Sequence, residues 1–532
     1  MLTLGALSHG CSDDMAQYLP DLLPILLSSV QGHRTMQDGQ VQEFPHEVRC
    51  IASWVLGRYS EFWFTEGEDD DFNAPKTMDI DTQKSIIQVL MTAMLDSVPR
   101  LQAASCSALT AIFESVAASE IDPNDPTAIN ILDVCLADMI VQFNRAFESF
   151  GVKNSLILCD TIGTLCDSVA PNSLQTVYAA GESDLSSLIL NPLVQKFSQL
   201  LQMQDPSAEG SECAPHPHLY PVMECITSVN AAVGLDLLPY ATELVKLFLQ
   251  LICSVLDAHD RHYAALQQGA DVESLDDLPG IDFAVCGLDV LSSVVEGLKT
   301  VFPLVVLGLQ LDNSLMGELS ISFEHLQPFC QHGSGEEIQR GIVLMLARCM
   351  SFTHSSGMLS YYINCFASCR VTNFPIVDIR QSAFSLVGDL ISEGSCASLF
   401  STPLATSVAA TFPSITPRNE VGVDFLDQSF MALCSDGPTS DSSFFLTPCV
   451  LYIFQLAMYQ LDAESAQAAP VVANNAVWVV GEYCLAAGSG PLTDKLIQPL
   501  ACQVAGLLQH VMTLDGMCWM PILICLFKVT NC

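Results

Sequence analysis

The chain has 532 residues, of which 50% are hydrophobic and only 15% charged, so a chain disordered for want of apolar side chains is excluded. Its 59 acidic residues outnumber 19 basic ones and leave a formal net charge of −40. That balance repels the phosphates of nucleic acids, argues against direct nucleic-acid binding, and favours basic partners.

Taken in chain order, apolar residues recur at three- and four-residue spacing, as in Leu19, Leu22, Leu23, Ile25 and Leu26, and again in Leu244, Leu247, Leu249, Ile252 and Val255. Strand signals are sparse, so the expected class is all-α. Polar, acidic or Gly/Pro-rich clusters at residues 32–40, 66–73, 204–218, 266–282, 331–337 and 435–443 separate helix-length segments, usually in pairs. Five of these segments share small and apolar residues around a glycine: LTLGALSHG, CIASWVLGRYS, LCDTIGTLCDS, QSAFSLVGDLIS and NNAVWVVGEYC. Their glycines, Gly5, Gly57, Gly163, Gly388 and Gly481, are spaced at rough multiples of one unit: 52 residues separate the first two and 106 the next two. A second apolar helix precedes several of them, such as the one from Tyr18 with Pro20 and Pro24 near its start, where proline is tolerated. The pattern predicts an α-solenoid of two-helix repeats, a superhelix whose extended face suits long partners, with the glycines serving close packing.

Chemistry is scarce. The sequence lacks a GxSxG elbow, a Walker phosphate loop, an HExxH helix and a GxGxxG turn, so neither an enzyme nor a cofactor is expected. The run from Cys213 to His218 lacks the second ligand pair of a zinc site, and Cys365 and Cys369 suit helix packing better than metal or redox chemistry, so no metal is expected either. The 22 cysteines are scattered through apolar helices and no secretory signal opens the chain, which predicts reduced, buried thiols of the cytosol or nucleus. Ser442 to Leu461 is a twenty-residue stretch without charge, but its Pro448, Gln455 and Gln460 and its acidic flanks favour a buried helix over a membrane span.

The acidic residues carry more. Asp160 and Asp167 stand seven residues apart, as do Asp289 and Glu296, which places each pair on one helix face; Glu114, Glu224, Asp389 and Glu482 fall at comparable places in other repeats. Repeated like charges on apolar helices call for a cationic partner. Trp54 and Trp478 lie inside two such helices, as core residues or as anchors of an interface.

At these positions the sequence resembles a known family. RCIASWVLGRYSEFW, KNSLILCDTIGTLCDSV, YPVMECITSV, DFAVCGLDVLSSVVEGL, IRQSAFSLVGDL and NNAVWVVGEYC resemble, in order, HEAT repeats of the transportins, the karyopherin-β2 branch of the importin-β nuclear import receptors. The resemblance implies a cargo-binding HEAT array over residues 1–510, with insertions at about 337–359 and 409–448, followed by an atypical apolar tail at 511–532 that reads as a gene-model artefact. It also implies a receptor that shuttles between cytoplasm and nucleus, meets nucleoporins, and binds basic proline-tyrosine nuclear localisation signals. Carried over residue by residue, Leu2, Ile51, Trp54 and Arg58 form a wall for the proline-tyrosine end of the signal. Glu114, Asp160, Asp167 and Glu224 pair with its basic residues, and Asp289 and Asp389 line a path to a pocket around Trp478. Ala103 stands where the family has an acidic residue. The repeats that bind the Ran GTPase in the family, and the acidic loop that couples Ran to cargo release, have no counterpart, so the expectation is cargo binding without Ran discharge. A HEAT scaffold for folded partners and a membrane protein built on Ser442–Leu461 are the rival readings.

Overall fold

The computed structural model describes residues 2–8, 14–15, 17–35, 41–64, 78–118, 130–169, 173–174, 185–202, 216, 218–268, 280–309, 326–329, 335–351, 375–393 and 470–487. The chain divides into two compact units, Met1–Met203 with His216–Asp236, and Gln204–Pro215 with Leu237–Cys532.

In the first unit the helices are α1 (Leu2–Leu7), α2 (Leu19–Gln31), α3 (His46–Arg58), the short α4 (Ser60–Phe64), α5 (Ile80–Met94), α6 (Pro99–Ala118), α7 (Ile131–Ser149), α8 (Val152–Ser168), α9 (Leu185–Gln202) and α10 (Leu219–Val233). They pair as α2 with α3, α5 with α6, α7 with α8 and α9 with α10. First helices then stack on first helices, α2 on α5, α5 on α7 and α7 on α9, while second helices stack in the order α1, α3, α6, α8, α10. This is the two-row stack of an α-solenoid, so the all-α repeat reading holds.

Local chemistry fixes the helix ends. Asp79 caps α5 by accepting from the Thr82 N–H at 2.9 Å, and Asn130 caps α7 by accepting from the Leu132 N–H at 2.9 Å. Gly32 ends α2 at φ 92, a left-handed conformation that costs a side-chain-bearing residue dearly. Its carbonyl accepts from the Phe44 N–H, closing a small antiparallel hairpin of β1 (His33–Thr35) and β2 (Val41–Glu43) inside the first polar cluster.

The glycines of the second helices are close-approach points. A methyl group on Gly57 of α3 would come within 2.8 Å of the Ala108 Cα on α6, and one on Gly5 of α1 within 2.0 Å of the Trp54 ring on α3. Polar contacts keep the same register: Arg58 Nε donates to Ser8 Oγ 50 residues away, Thr110 to Thr161 at 51 and Asn154 to Gln102 at 52. Trp63 on α4 is fully buried; its Nε1–H donates to the Leu56 carbonyl at 3.1 Å, and its own carbonyl accepts from Gln83 Nε2 at 3.0 Å.

The second unit contains α11 (Leu238–Gln267), α12 (Asp282–Leu298), the short α13 (Phe302–Val305), α14 (Gly335–Ser351), α15 (Pro375–Ser392) and α16 (Pro470–Ala487). α11 pairs with α12 and α14 with α15; α11 packs on α14, and α12, α15 and α16 stack in that order. Part of the stretch expected as an insertion, up to Ser351, is thus a first helix packed on α11 and α15.

Cys106, Cys135, Cys159, Cys166, Cys225, Cys286 and Cys349 are buried and free, and Cys50 and Cys253 are free and half-buried. Among the described residues one helix, α6, is long and apolar enough to cross a membrane, yet 56% of that window is buried, against α3, α5 and α8. Ser442–Leu461, the insertion at 409–448, Cys365, Cys369, Cys213 and the tail at 511–532 lie outside the described residues. No group of three or more metal-ligating side chains occurs among the described residues.

Candidate functional site

Each functional candidate sits on a second helix, and the helix period decides where it points. On α3, Ala52, Ser53, Val55, Leu56 and Gly57 are buried, which turns Trp54 outward, 40% exposed, with Ile51 and Arg58 half-buried beside it. Leu2 of α1 is 64% exposed. The six-membered ring of Trp54 lies against Gly5, so the structure brings α1 and α3 together through this indole. Arg58 turns to Ser8, and Tyr59 Oη–H donates to the Leu4 carbonyl at 2.7 Å. The core tryptophan here is Trp63, which the sequence did not single out.

Along the next three second helices of this unit the acidic residues form a row. Glu114 on α6, Asp160 and Asp167 on α8 and Glu224 on α10 are all exposed, while the residues flanking them in sequence on α8 and α10 are mostly buried. α8 and α10 run side by side in register, so that Ser228 Oγ–H donates to Asp167 Oδ2 at 3.1 Å and Asp160 acts electrostatically on Glu224. Desolvation by the neighbouring helices pushes the Asp167 and Glu224 carboxyls above their ordinary range; the Ser228 and Tyr220 hydroxyls oppose this, and the Asp160 charge adds to it at Glu224. The ion pairs Arg49–Asp96 at 2.9 Å and Arg348–Asp257 at 2.8 Å use other carboxylates. The row is therefore accessible, like-charged and held up by hydroxyls.

The second unit holds a denser cluster. Asp289 and Glu296 of α12 are exposed, whereas Asp389 of α15 is 6% exposed and accepts from Ser292 Oγ of α12. Burial pushes the Asp389 carboxyl up to about 7; the Ser292 hydroxyl works against it, and Glu296, Glu393 and Asp289 add to it. Burial also raises Asp289, opposed by the Ser382 hydroxyl, and raises Glu296, aided by Glu393 and opposed by Lys299. Trp478 of α16 is half-buried, its ring against Gly388 of α15, and its Nε1–H donates to Glu482 Oε1 at 3.0 Å. Trp478 and Asp389 are thus joined through adjacent residues of α15.

The hydroxyl partners Ser228, Ser292 and Ser382 were not legible in the sequence, because each lies on a different helix from the carboxylate it serves. Tyr220 was findable, since it precedes Glu224 by one helical turn.

No family model matches the chain. Among curated proteins it is 29% identical to mouse transportin-1 over 298 residues, which is 56% of this chain and 26% of that protein. It is 27% identical to importin subunit beta-2 of Schizosaccharomyces pombe over 354 residues, 62% of this chain and 32% of that one. The matched stretch thus spans between a quarter and a third of these relatives. A crystal structure of importin beta covers 99% of this chain and 54% of its own at 13% identity, but its TM-score of 0.39 is too low to bear on the fold.

Proposed function

We propose that this chain, a homologue of the transportins and importin beta-2 over more than half its length, is the cargo-binding part of a nuclear import receptor, working between cytoplasm and nucleus and not as an enzyme. Its ligand is a basic, extended nuclear localisation signal of the proline-tyrosine type. The observation that carries this reading is the row Glu114, Asp160, Asp167 and Glu224, exposed on consecutive second helices in a chain with a net charge of −40.

The chemistry follows from the geometry. Arginine and lysine side chains laid along the row form charge-assisted hydrogen bonds with Asp160, Asp167 and Glu224 and relieve the repulsion that desolvation makes costly there. The Trp54 indole, with Leu2 and Ile51, offers an apolar wall for the proline-tyrosine end, and Arg58 supplies a cation beside it. In the second unit Asp289, Asp389 and Trp478 offer a further seat of the same sign. Ordering a disordered segment costs free energy, so affinity comes from many dispersed contacts, with the tryptophans contributing most. Nucleoporins and, in a longer protein, the Ran GTPase are the further partners this reading assigns.

The experiment is a fluorescence-anisotropy titration of the full chain with a basic proline-tyrosine peptide, against a peptide of the same composition with the proline and tyrosine replaced by glycine. Preferential binding of the first supports the receptor. Equal, weak binding of both, with capture of folded partners instead, would favour a helical-repeat scaffold.

A further inference from the structure

We infer that Glu482 sets the charge preference of the Trp478 pocket by acting through the indole, which makes this tryptophan a seat for an alkylammonium or guanidinium cation. That the cation belongs to a peptide rests on the import-receptor reading above.

Two tryptophans occupy the same register in their repeats. Trp54 stands three residues before Gly57 and Trp478 three before Gly481, and each packs on the glycine of the preceding second helix, Gly5 and Gly388 respectively. One turn further along, the repeats diverge in charge: Arg58 follows Trp54 and Glu482 follows Trp478. Arg58 reaches away to Ser8 of α1. Glu482 instead takes the indole N–H of Trp478 at 3.0 Å, and it is itself only 8% exposed. A carboxylate that accepts from an indole N–H fixes the ring orientation and polarises it, leaving the π face more electron-rich. Asp389, next to the glycine on which the ring rests, adds negative potential from a site 6% exposed. The half-buried Trp478 ring therefore presents an anion-backed aromatic surface, the arrangement a cation recognises, whereas the Trp54 ring has a guanidinium beside it. Glu482 is a positioning residue in this account, since it acts through Trp478.

The test uses the full chain labelled with 5-fluorotryptophan, with Trp478→Phe assigning its fluorine signal. Two substitutions separate charge from support: Glu482→Gln keeps an acceptor for the indole N–H without the charge, and Glu482→Met removes both. Ethylammonium chloride is titrated against sodium chloride at equal ionic strength while the Trp478 signal is followed. In parallel, affinities are measured for a proline-tyrosine peptide with lysine in its N-terminal part and for its norleucine counterpart. The inference expects ethylammonium to shift the Trp478 signal in the wild type and not in Glu482→Gln, the lysine-over-norleucine preference to fall about three- to fivefold in Glu482→Gln, and the unliganded signal to move only in Glu482→Met. An unchanged preference and an unchanged ethylammonium response in Glu482→Gln would overturn it, and because that variant keeps the hydrogen bond, misfolding of Glu482→Met does not blunt the result. Failure of both peptides to bind, with the ethylammonium response intact and dependent on Glu482, would sink the receptor reading and leave this inference standing.

Discussion

Replacing Asp389 by asparagine should stabilise the chain, and more so at high pH. The carboxyl is 6% exposed, and burial together with Glu296, Glu393 and Asp289 raises it from 3.8 to about 7 in the folded state. A raised folded-state pKa means that ionisation costs the fold: the contribution of the neutral acid is complete below about pH 3.8 and is lost as pH rises towards 7. A difference of about three units at ~1.4 kcal/mol each amounts to about 4 kcal/mol above neutrality, and to about 2 kcal/mol at pH 5.5, where the loss is partial. Asparagine keeps an oxygen for the Ser292 hydroxyl and removes the charge, so Asp389→Asn should melt above the wild type, with a gap wider at pH 8 than at pH 5.5. Circular-dichroism melts of both proteins at the two pH values measure this. A variant that melts below the wild type at pH 8, or a gap that narrows as pH rises, would refute the reasoning.

Gly57→Ala should destabilise the chain by about 1–3 kcal/mol despite the better helix propensity of alanine, because its methyl meets the Ala108 Cα at 2.8 Å. Gly163→Ala, whose nearest neighbour is 3.7 Å away, should be neutral or stabilising by up to about 1 kcal/mol, and paired chemical melts distinguish the two. Trp63→Phe should cost about 1–3 kcal/mol, since it strips the Leu56 carbonyl of its buried donor. Cys106, whose thiol burial holds near 12, and the fully buried Cys166 and Cys349, raised further, should resist a disulfide reagent at pH 8 until the chain is unfolded; stopped-flow thiol counting reads the protected sites.

The repeat pattern was legible because it is written in local chemistry. Pro20 sits at the start of α2, where its missing N–H is not needed, and Gly57 and Gly388 fall where second helices touch. The seven-residue spacing of Asp160 and Asp167 likewise fixed a shared face without reference to any neighbour. What could not be read depends on contacts between distant segments. Ser292 and Asp389 are 97 residues apart, so nothing local announces their hydrogen bond or the buried acid it serves. The β1–β2 hairpin escaped notice because β2 is exposed along its length and carries no alternation; it is set by the left-handed Gly32 and its bond to Phe44. A helix at Gly335–Ser351 was hidden behind an expected insertion, since divergence from a relative's sequence says little about whether an apolar face still finds α11 and α15 to pack on.

The central claim is that exposed carboxylates of consecutive second helices receive a basic segment. It is tested most directly by the salt dependence of binding of a basic proline-tyrosine peptide to the wild type, to Asp160→Asn/Asp167→Asn and to Trp54→Ala. The account predicts wild-type affinity that falls steeply with salt, a shallower slope in the double asparagine variant, and a large loss with an unchanged slope in Trp54→Ala. A folded, helical chain that binds the peptide with the same slope in all three, or does not bind it at all, would contradict it.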